Sequence, residues 1–284
     1  MKIAVTGAAG MLGADVMAEL MRRGHEAVGL LRADMDITDG AAAADALLAI
    51  DPDAVIHCAA YTAVDAAEKD PVSCMAANAD GTKNIAYACR MADAKLIYVS
   101  TDYVFGGAGQ LPRKTSDAAA PLNIYGASKL LGEYCAREAT EKLFIVRTSW
   151  LYGKNGRNFV SAMLSLARQR ASIRCVCDEI GRPTYTRDLA RLLADMAQSE
   201  SYGVYHASGA GDFVSFYDFA REIFRRSGIE CADISPVTAA EYGALAERPK
   251  NSRLDTSCLT HAGFSQLPPW REALTRYLRE MGVI

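Results

Sequence analysis

The sequence predicts an α/β protein, a doubly wound parallel sheet followed by a smaller α+β domain. Three observations carry that expectation. Short apolar runs alternate with helix-patterned segments from residue 2 to about residue 150, the rhythm of a parallel sheet with helices on both faces. The apolar runs are continuous rather than alternating, as strands buried on both faces require. A glycine-rich turn joins the first run to the first helix.

In order, KIAVTG (2–7) is the first strand and GMLGADVMAELMRRG (10–24) the first helix, closed by a glycine stop. HEAVGLL (25–31) is β-rich, and ITDGAAAADALLAI (37–50) reads as a helix with Thr38 as its N-cap. AVIHCAA (54–60) is a strand set after Pro52, and residues 73–92 read as one helix. KLIYVST (95–101) and LFIVRTSW (143–150) are strands on either side of a helix at 123–140. This first unit spans 1–150. From 151 to 284 the rhythm loosens into a substrate domain, some of whose segments are expected to return to the first. Helices are expected at 157–170, 186–198, 215–228 and 268–281, with strands at 173–177 and 204–208.

Composition narrows the class. The 284 residues are 50% hydrophobic, enough for a sizeable core in one or two domains. A net charge of −3 offers no basic field for nucleic acid and no polybasic membrane patch. The N-terminus runs straight into a strand with no signal-peptide pattern, and no stretch approaches roughly 18 uninterrupted apolar residues. The 8 cysteines are scattered through apolar runs, as in a reduced cytoplasmic protein. Cys175 and Cys177 form a C-x-C with no second cluster, which favours strand packing over metal.

TGAAGMLG places Gly7, Gly10 and Gly13 between the first strand and the first helix. Glycine permits the tight turn and the close approach of a pyrophosphate, and the helix N-terminus offers N–H groups to the phosphates. At the first strand–turn–helix of an alternating chain, the triplet reads as a Rossmann dinucleotide site. A carboxylate usually closes the second strand and holds the ribose 2′-hydroxyl. Here that position is Leu31, followed by Arg32, which could pair with a 2′-phosphate. NADPH is therefore favoured over NADH, with a plain solvated-loop role for Arg32 as the alternative.

IYVSTDYVF puts Ser100, Thr101 and Asp102 at the C-terminal end of the fourth strand, where open α/β sheets place ligands. Tyr125 and Lys129 follow one turn apart on one helix face. A phenol of pKa near ~10 is a weak acid–base partner at neutral pH. A neighbouring ammonium favours the phenolate and lowers that value. With the strand-end Thr101 and the glycine turn, the pair reads as a general acid and its tuner.

The glycine spacing, with the Tyr and Lys, resembles the extended short-chain dehydrogenase/reductase family. STDYVF, AAYTAVDAAE, PLNIYGASK, RTSWLYG, GRPT and RPKNSRL together narrow the likeness. In that order, and over essentially the whole chain, they resemble the dTDP-4-dehydrorhamnose reductase family. The resemblance implies reduction of the 4-keto group of dTDP-4-dehydro-L-rhamnose by NADPH, or by NADH. Carried over residue by residue, it sets Met11, Leu12, Ala59, Ala60, Tyr61 and Thr62 along the cofactor. Asp36 and Ile37 would flank the adenine, and Thr101, Asp102 and Tyr103 would meet the sugar. Trp150 would form an apolar wall, and Asn158 would approach the nucleotide. Arg182, Arg248 and Arg253 are candidates for the diphosphate. Core or surface roles remain open for each of these.

This chain departs from the pattern in two places. His57-Cys58-Ala59-Ala60 stands where the family commonly has N-A-A-A, and His57 reads as a core residue. Some members assemble as dimers through an acidic cluster with Mg²⁺. A homodimer is thus a possible partner state, and Asp15 falls at one such position. Residues 187–188 read Arg–Asp at the second, leaving Mg²⁺ open. A dehydratase relative would carry Thr-Asp-Glu where this chain has Thr101-Asp102-Tyr103, which disfavours water elimination. The rival readings are an epimerase on the same fold and a non-catalytic regulatory subunit resembling that of methionine adenosyltransferase.

Overall fold

The computed structural model describes residues 1–169, 172–229 and 233–284. Five strands in chain order, β1 (Lys2–Thr6), β2 (Glu26–Leu30), β3 (Ala54–His57), β4 (Lys95–Thr101) and β5 (Leu143–Thr148), lie parallel in one sheet. A sixth, Gly203–Ala207, pairs with β5, so the order is Gly203–Ala207, β5, β4, β3, β1, β2. The chain runs outward from β1 in opposite directions to β2 and to β3. The crevice at that reversal, beyond the carboxyl ends of the strands, is where such sheets bind ligands.

Both faces are dry, which explains the unbroken apolar strands. Ile3, Val5, Ile56, Ile97, Phe144 and Val146 pack toward helices Met11–Arg22 (α1) and Thr186–Ala197. Their strand neighbours Ala4, Val55, Leu96, Tyr98 and Ile145 pack toward helices Gly40–Ile50, Gly81–Met91 and Ile124–Ala139. A further core gathers Tyr152, Val160, Phe219, Trp270 and Tyr277 from the second half of the chain. Around it lie helices Phe159–Arg168, Phe216–Ser227 and Trp270–Glu280 and short strand pairs such as Ile173–Val176 with Ile234–Val237. No helix among the described residues is long and apolar enough to cross a membrane.

Two local expectations are corrected. Thr38 is not the cap of the second helix. Asp39 is, its carboxylate accepting from Ala41 and Ala42 N–H, while the Thr38 hydroxyl donates to Asp36 Oδ1 at 2.8 Å. The helix expected at 73–92 begins at Pro71, capped by Asp70, and contains a π-turn over Ala76–Asp80. Such turns recur at functional sites. This one aims the buried Asn78 at Tyr61, taking its N–H at 2.8 Å and giving to its carbonyl at 3.0 Å. The same amide donates to Ser128 Oγ at 2.9 Å, tying the loop after β3 to the helix that carries Tyr125.

Candidate active site

A cleft of about 1050 Å³ runs across the carboxyl ends of β1 to β5. At one end is the glycine turn. Gly7 adopts φ +64°, and a Cβ there would meet the Ala59 backbone nitrogen at 2.8 Å. A Cβ on Gly13 would lie 2.1 Å from the Gly7 carbonyl oxygen. The turn therefore cannot carry side chains at these positions without moving backbone. Helix α1 starts at Met11 with no side-chain cap on Gly10 and no acidic residue in its first turn. An uncapped, uncharged helix start suits a pyrophosphate. Gly7, Gly10, Met11, Leu12 and Gly13 all line the cleft, as do Ala59, Ala60, Tyr61 and Thr62.

Beyond the turn, past the end of β2, the cleft is lined by Arg32, Met35, Asp36 and Ile37. The Arg32 guanidinium is 89% exposed and only 3.4 Å from Asp36, a loose pair that leaves it free to turn. Asp36 accepts from the Thr38 N–H and hydroxyl, which hold its carboxyl below the usual range. The carboxylate that reaches the end of β2 comes from Asp34, whose Oδ2 accepts the Leu31 N–H at 2.9 Å.

At the other end stand Thr101, Asp102, Tyr103, Tyr125 and Lys129. Thr101 ends β4, and its hydroxyl caps the next turn by accepting from Tyr103 N–H. It also donates to Asp102 Oδ1 at 3.1 Å. Asp102 is 2% exposed, and its Oδ2 has no partner among the described residues. Burial pushes that carboxyl up to about 7, against the Ser252 and Thr101 hydroxyls beside it. Helix Ile124–Ala139 is started by Asn123, which accepts the Gly126 N–H at 2.7 Å, so Tyr125 and Lys129 occupy its first two turns. Gly126 and Gly132 let the helix close on its neighbours, since Cβ atoms there would meet the Tyr103 and Asn78 carbonyls at 2.2 and 2.4 Å.

One electrostatic expectation is reversed. The Tyr125 phenol is not lowered by Lys129. Burial raises it, with the Thr101 hydroxyl acting the other way. Lys129 is itself brought down to about 7 by burial, with Glu133 resisting. Desolvation opposes the charged form of each group and outweighs the neighbours that favour it. The phenol is accordingly held as a proton donor.

Trp150 also lines the cleft, at the unusual φ of +50°, outside the region most side chains adopt. Its indole stacks on Phe216 with centroids 3.7 Å apart and planes 15° from parallel. Gly181 makes room on the indole, where a Cβ would meet ring carbon Cε2 at 2.8 Å. Phe216, at the start of a helix from the second core, was not visible in the sequence as a site residue.

Four candidates for the nucleotide end lie elsewhere. Asn158 does not face the cleft. It caps helix Phe159–Arg168, accepting from Ser161 N–H and donating to the Gly153 carbonyl at 2.8 Å. Arg182 is 9% exposed, and its guanidinium gives to the Gly211 and Leu254 carbonyls and lies over Phe213. Arg253 bonds Asn251 Oδ1 at 3.0 Å and borders the same ring. Arg248 forks onto Asp65 at 3.0 and 3.1 Å. Each of these side chains is engaged within the protein, Arg182 and Arg248 by groups distant in sequence. His57 is 1% exposed, bonded through Nδ1 to Thr6 Oγ1 at 2.6 Å and through Nε2 to Thr82 at 3.3 Å.

Within one chain, the positions considered for Mg²⁺ are engaged by other side chains. Asp15 accepts from the Thr186 hydroxyl, Asp188 is forked by Arg276, and Arg187 pairs with Glu280. No cluster of three or more His, Cys, Asp or Glu suited to a metal occurs among the described residues.

Comparison with known proteins extends the likeness to the full chain. The family model described as RmlD substrate binding domain matches residues 1–283. A dTDP-4-dehydrorhamnose reductase of Streptomyces griseus is 41% identical over 277 residues, covering 95% of this chain and 91% of that protein. The spore coat polysaccharide biosynthesis protein SpsK of Bacillus subtilis is 40% identical over 279 residues, covering 98% and 97%. The crystal structure of dTDP-4-dehydrorhamnose reductase from Bacillus anthracis in complex with NADP is 41% identical and gives a TM-score of 0.95 over 99% of this chain and 100% of that one. Likeness of this extent and identity goes beyond a shared fold: the chain belongs to the RmlD substrate binding domain family, that of the dTDP-4-dehydrorhamnose reductases.

Proposed function

We propose that this chain reduces the 4-keto group of dTDP-4-dehydro-L-rhamnose to the alcohol of dTDP-L-rhamnose, using NADPH. The observation that carries the reading is one cleft with an uncapped glycine-turned helix start at one end and Thr101, Tyr125 and Lys129 at the other. A bound relative with NADP and reductases of this substrate among its kin fit the same reading.

The glycine turn receives the pyrophosphate, and Arg32 faces the 2′-phosphate. Lys129 grips the nicotinamide ribose. When bound, the nicotinamide supplies a hydride to the carbonyl carbon. Tyr125 gives its phenolic proton to the carbonyl oxygen, completing the two-electron reduction. Thr101 holds that oxygen by a hydrogen bond, and the unpartnered Asp102 Oδ2 accepts a sugar hydroxyl. Trp150, braced by Phe216, forms the apolar wall beside the hexose.

Oxidation of NADPH and of NADH, followed at the nicotinamide absorbance with enzymatically generated dTDP-4-dehydro-L-rhamnose, tests this. Turnover is expected with both, faster with NADPH. Tight NADPH binding without turnover would contradict the substrate assignment. Arg32→Ala is expected to lower kcat/KM for NADPH about tenfold, the worth of one exposed charge-assisted contact, while leaving NADH nearly unchanged. Equal losses with both cofactors would remove Arg32 from the 2′-phosphate. Gly181→Ala is expected to displace the Trp150 ring and raise the sugar nucleotide KM about tenfold, with the NADPH dissociation constant unmoved. Steady-state kinetics beside NADPH fluorescence titration separates these two effects.

A further inference from the structure

Lys129 is a cation with an unusual seat. It is 3% exposed, and its ammonium lies 4.2 Å from the centroid of the Tyr98 ring. Glu133, one turn on, is an acid whose carboxylate is engaged by Arg147 and by Ser100 Oγ. An aromatic face attracts a desolvated cation through its quadrupole. The Tyr98 ring is therefore placed to keep Lys129 charged in a site whose dryness opposes the charge.

The ring is fixed on three sides. Its hydroxyl donates to the backbone carbonyl of Lys129 at 3.2 Å. Its plane stacks on His57 at 5.7 Å and 23°, and His57 is pinned by Thr6 and Thr82. Gly132 leaves the space beside the hydroxyl, where a Cβ would come within 2.5 Å of it. This gives Gly132, in the middle of a helix, and His57, where the family commonly has Asn, a shared structural reason.

We propose that Tyr98 is a positioning residue whose ring face holds the Lys129 ammonium. This rests on Lys129 serving the reduction. The other titratable groups acting on or with Lys129 are His57 on β3, Cys58 after it, Cys74 on the helix from Pro71, and Glu133 on its own helix. Burial keeps both thiols protonated and holds His57 neutral, so none of the three competes with the ring as a countercharge or adds a positive charge near neutral pH.

The test compares Tyr98→Phe, Tyr98→Leu and replacement of Tyr98 by 4-cyanophenylalanine, whose ring stays planar and loses its negative face, its nitrile reaching further than the hydroxyl. Two readouts are needed: kcat against pH at saturating NADPH, and the titration of Lys129 by NMR of ¹³Cε-lysine protein, assigned with Lys129→Met. Tyr98→Phe is expected within about threefold of the parent at neutral pH. Tyr98→Leu and the cyano variant are expected to lose about tenfold or more, with the Lys129 midpoint and the alkaline limb of kcat moved to lower pH. The sign follows because the ring favours the ammonium, so its loss lets the proton leave earlier. A Lys129 midpoint unchanged in the cyano variant would overturn the proposal, as would a Phe variant as impaired as the Leu variant. If Tyr98→Leu fails to fold, the cyano variant decides alone. Absence of turnover in the parent protein would count against the reductase reading, and the NMR midpoint would still judge Tyr98.

Discussion

Replacing Tyr125 by Phe is expected to cut kcat by about 100- to 10,000-fold, the usual contribution of a positioned general acid. The phenol lines the cleft one turn before Lys129 and is held protonated by burial. It lies on the first turn of its helix, with burial favouring the protonated form and the Thr101 hydroxyl beside it. Removing only the oxygen leaves the ring against Tyr103, at 5.7 Å in an edge-on contact, so the fold should hold. NADPH affinity should therefore stay within a few-fold of the parent, since the glycine turn and Arg32 are untouched. A Phe variant that retains more than about a tenth of kcat would require another acid. Asp102, brought to about 7 by burial, would then be the next candidate.

Arg147→Met is expected to destabilise the protein by about 3–5 kcal/mol, because it strands a buried carboxylate. Glu133 is 1% exposed, and its two oxygens accept from Arg147 Nε and Nη2 at 2.8 and 2.7 Å. Ser100 adds a third bond at 2.6 Å, and Phe105 lies under the guanidinium at 5.1 Å. Removal of the arginine takes away both direct guanidinium hydrogen bonds and leaves the desolvated acid with the Ser100 hydroxyl and a looser contact to the half-exposed Arg137 at 3.9 Å. The double variant Glu133→Gln with Arg147→Met should recover much of the loss, since replacing both members of a buried pair costs far less than orphaning one. Urea denaturation of the two variants checks this. A single-variant loss below about 1 kcal/mol would show that water reaches Glu133 after all.

The parts of the site legible in the sequence are those fixed by local geometry. Gly7 and Gly13 are legible because the turn is local: Gly7 takes a positive φ, and a Cβ on Gly13 would strike the Gly7 carbonyl. Tyr125 and Lys129 were readable because four residues make one helical turn, and Asn123 starts that helix in plain view. Arg182, Arg248 and Arg253 were not, since a guanidinium looks alike in a ligand site and on a buried carbonyl. What decides is the partner: Leu254 lies 72 residues from Arg182, and Asp65 lies 183 residues from Arg248. Phe216 was missed for the same reason, its stacking partner Trp150 arriving from the first half of the chain. The direction of the Tyr125 shift is not legible in the sequence, because counting nearby charges leaves out the cost of burial, which only the folded cleft reveals.

In the proposed reduction, hydride from the nicotinamide and a proton from the protein meet at one sugar carbonyl. Turnover of dTDP-4-dehydro-L-rhamnose with NADPH deuterated at the nicotinamide C4, using each of the two stereoisomers in turn, tests it most directly. One isomer is predicted to place a single deuterium on sugar C4 of the rhamnose product, and the other to leave the product unlabelled. Label at any other carbon, or a product formed without label from either isomer, would contradict the account.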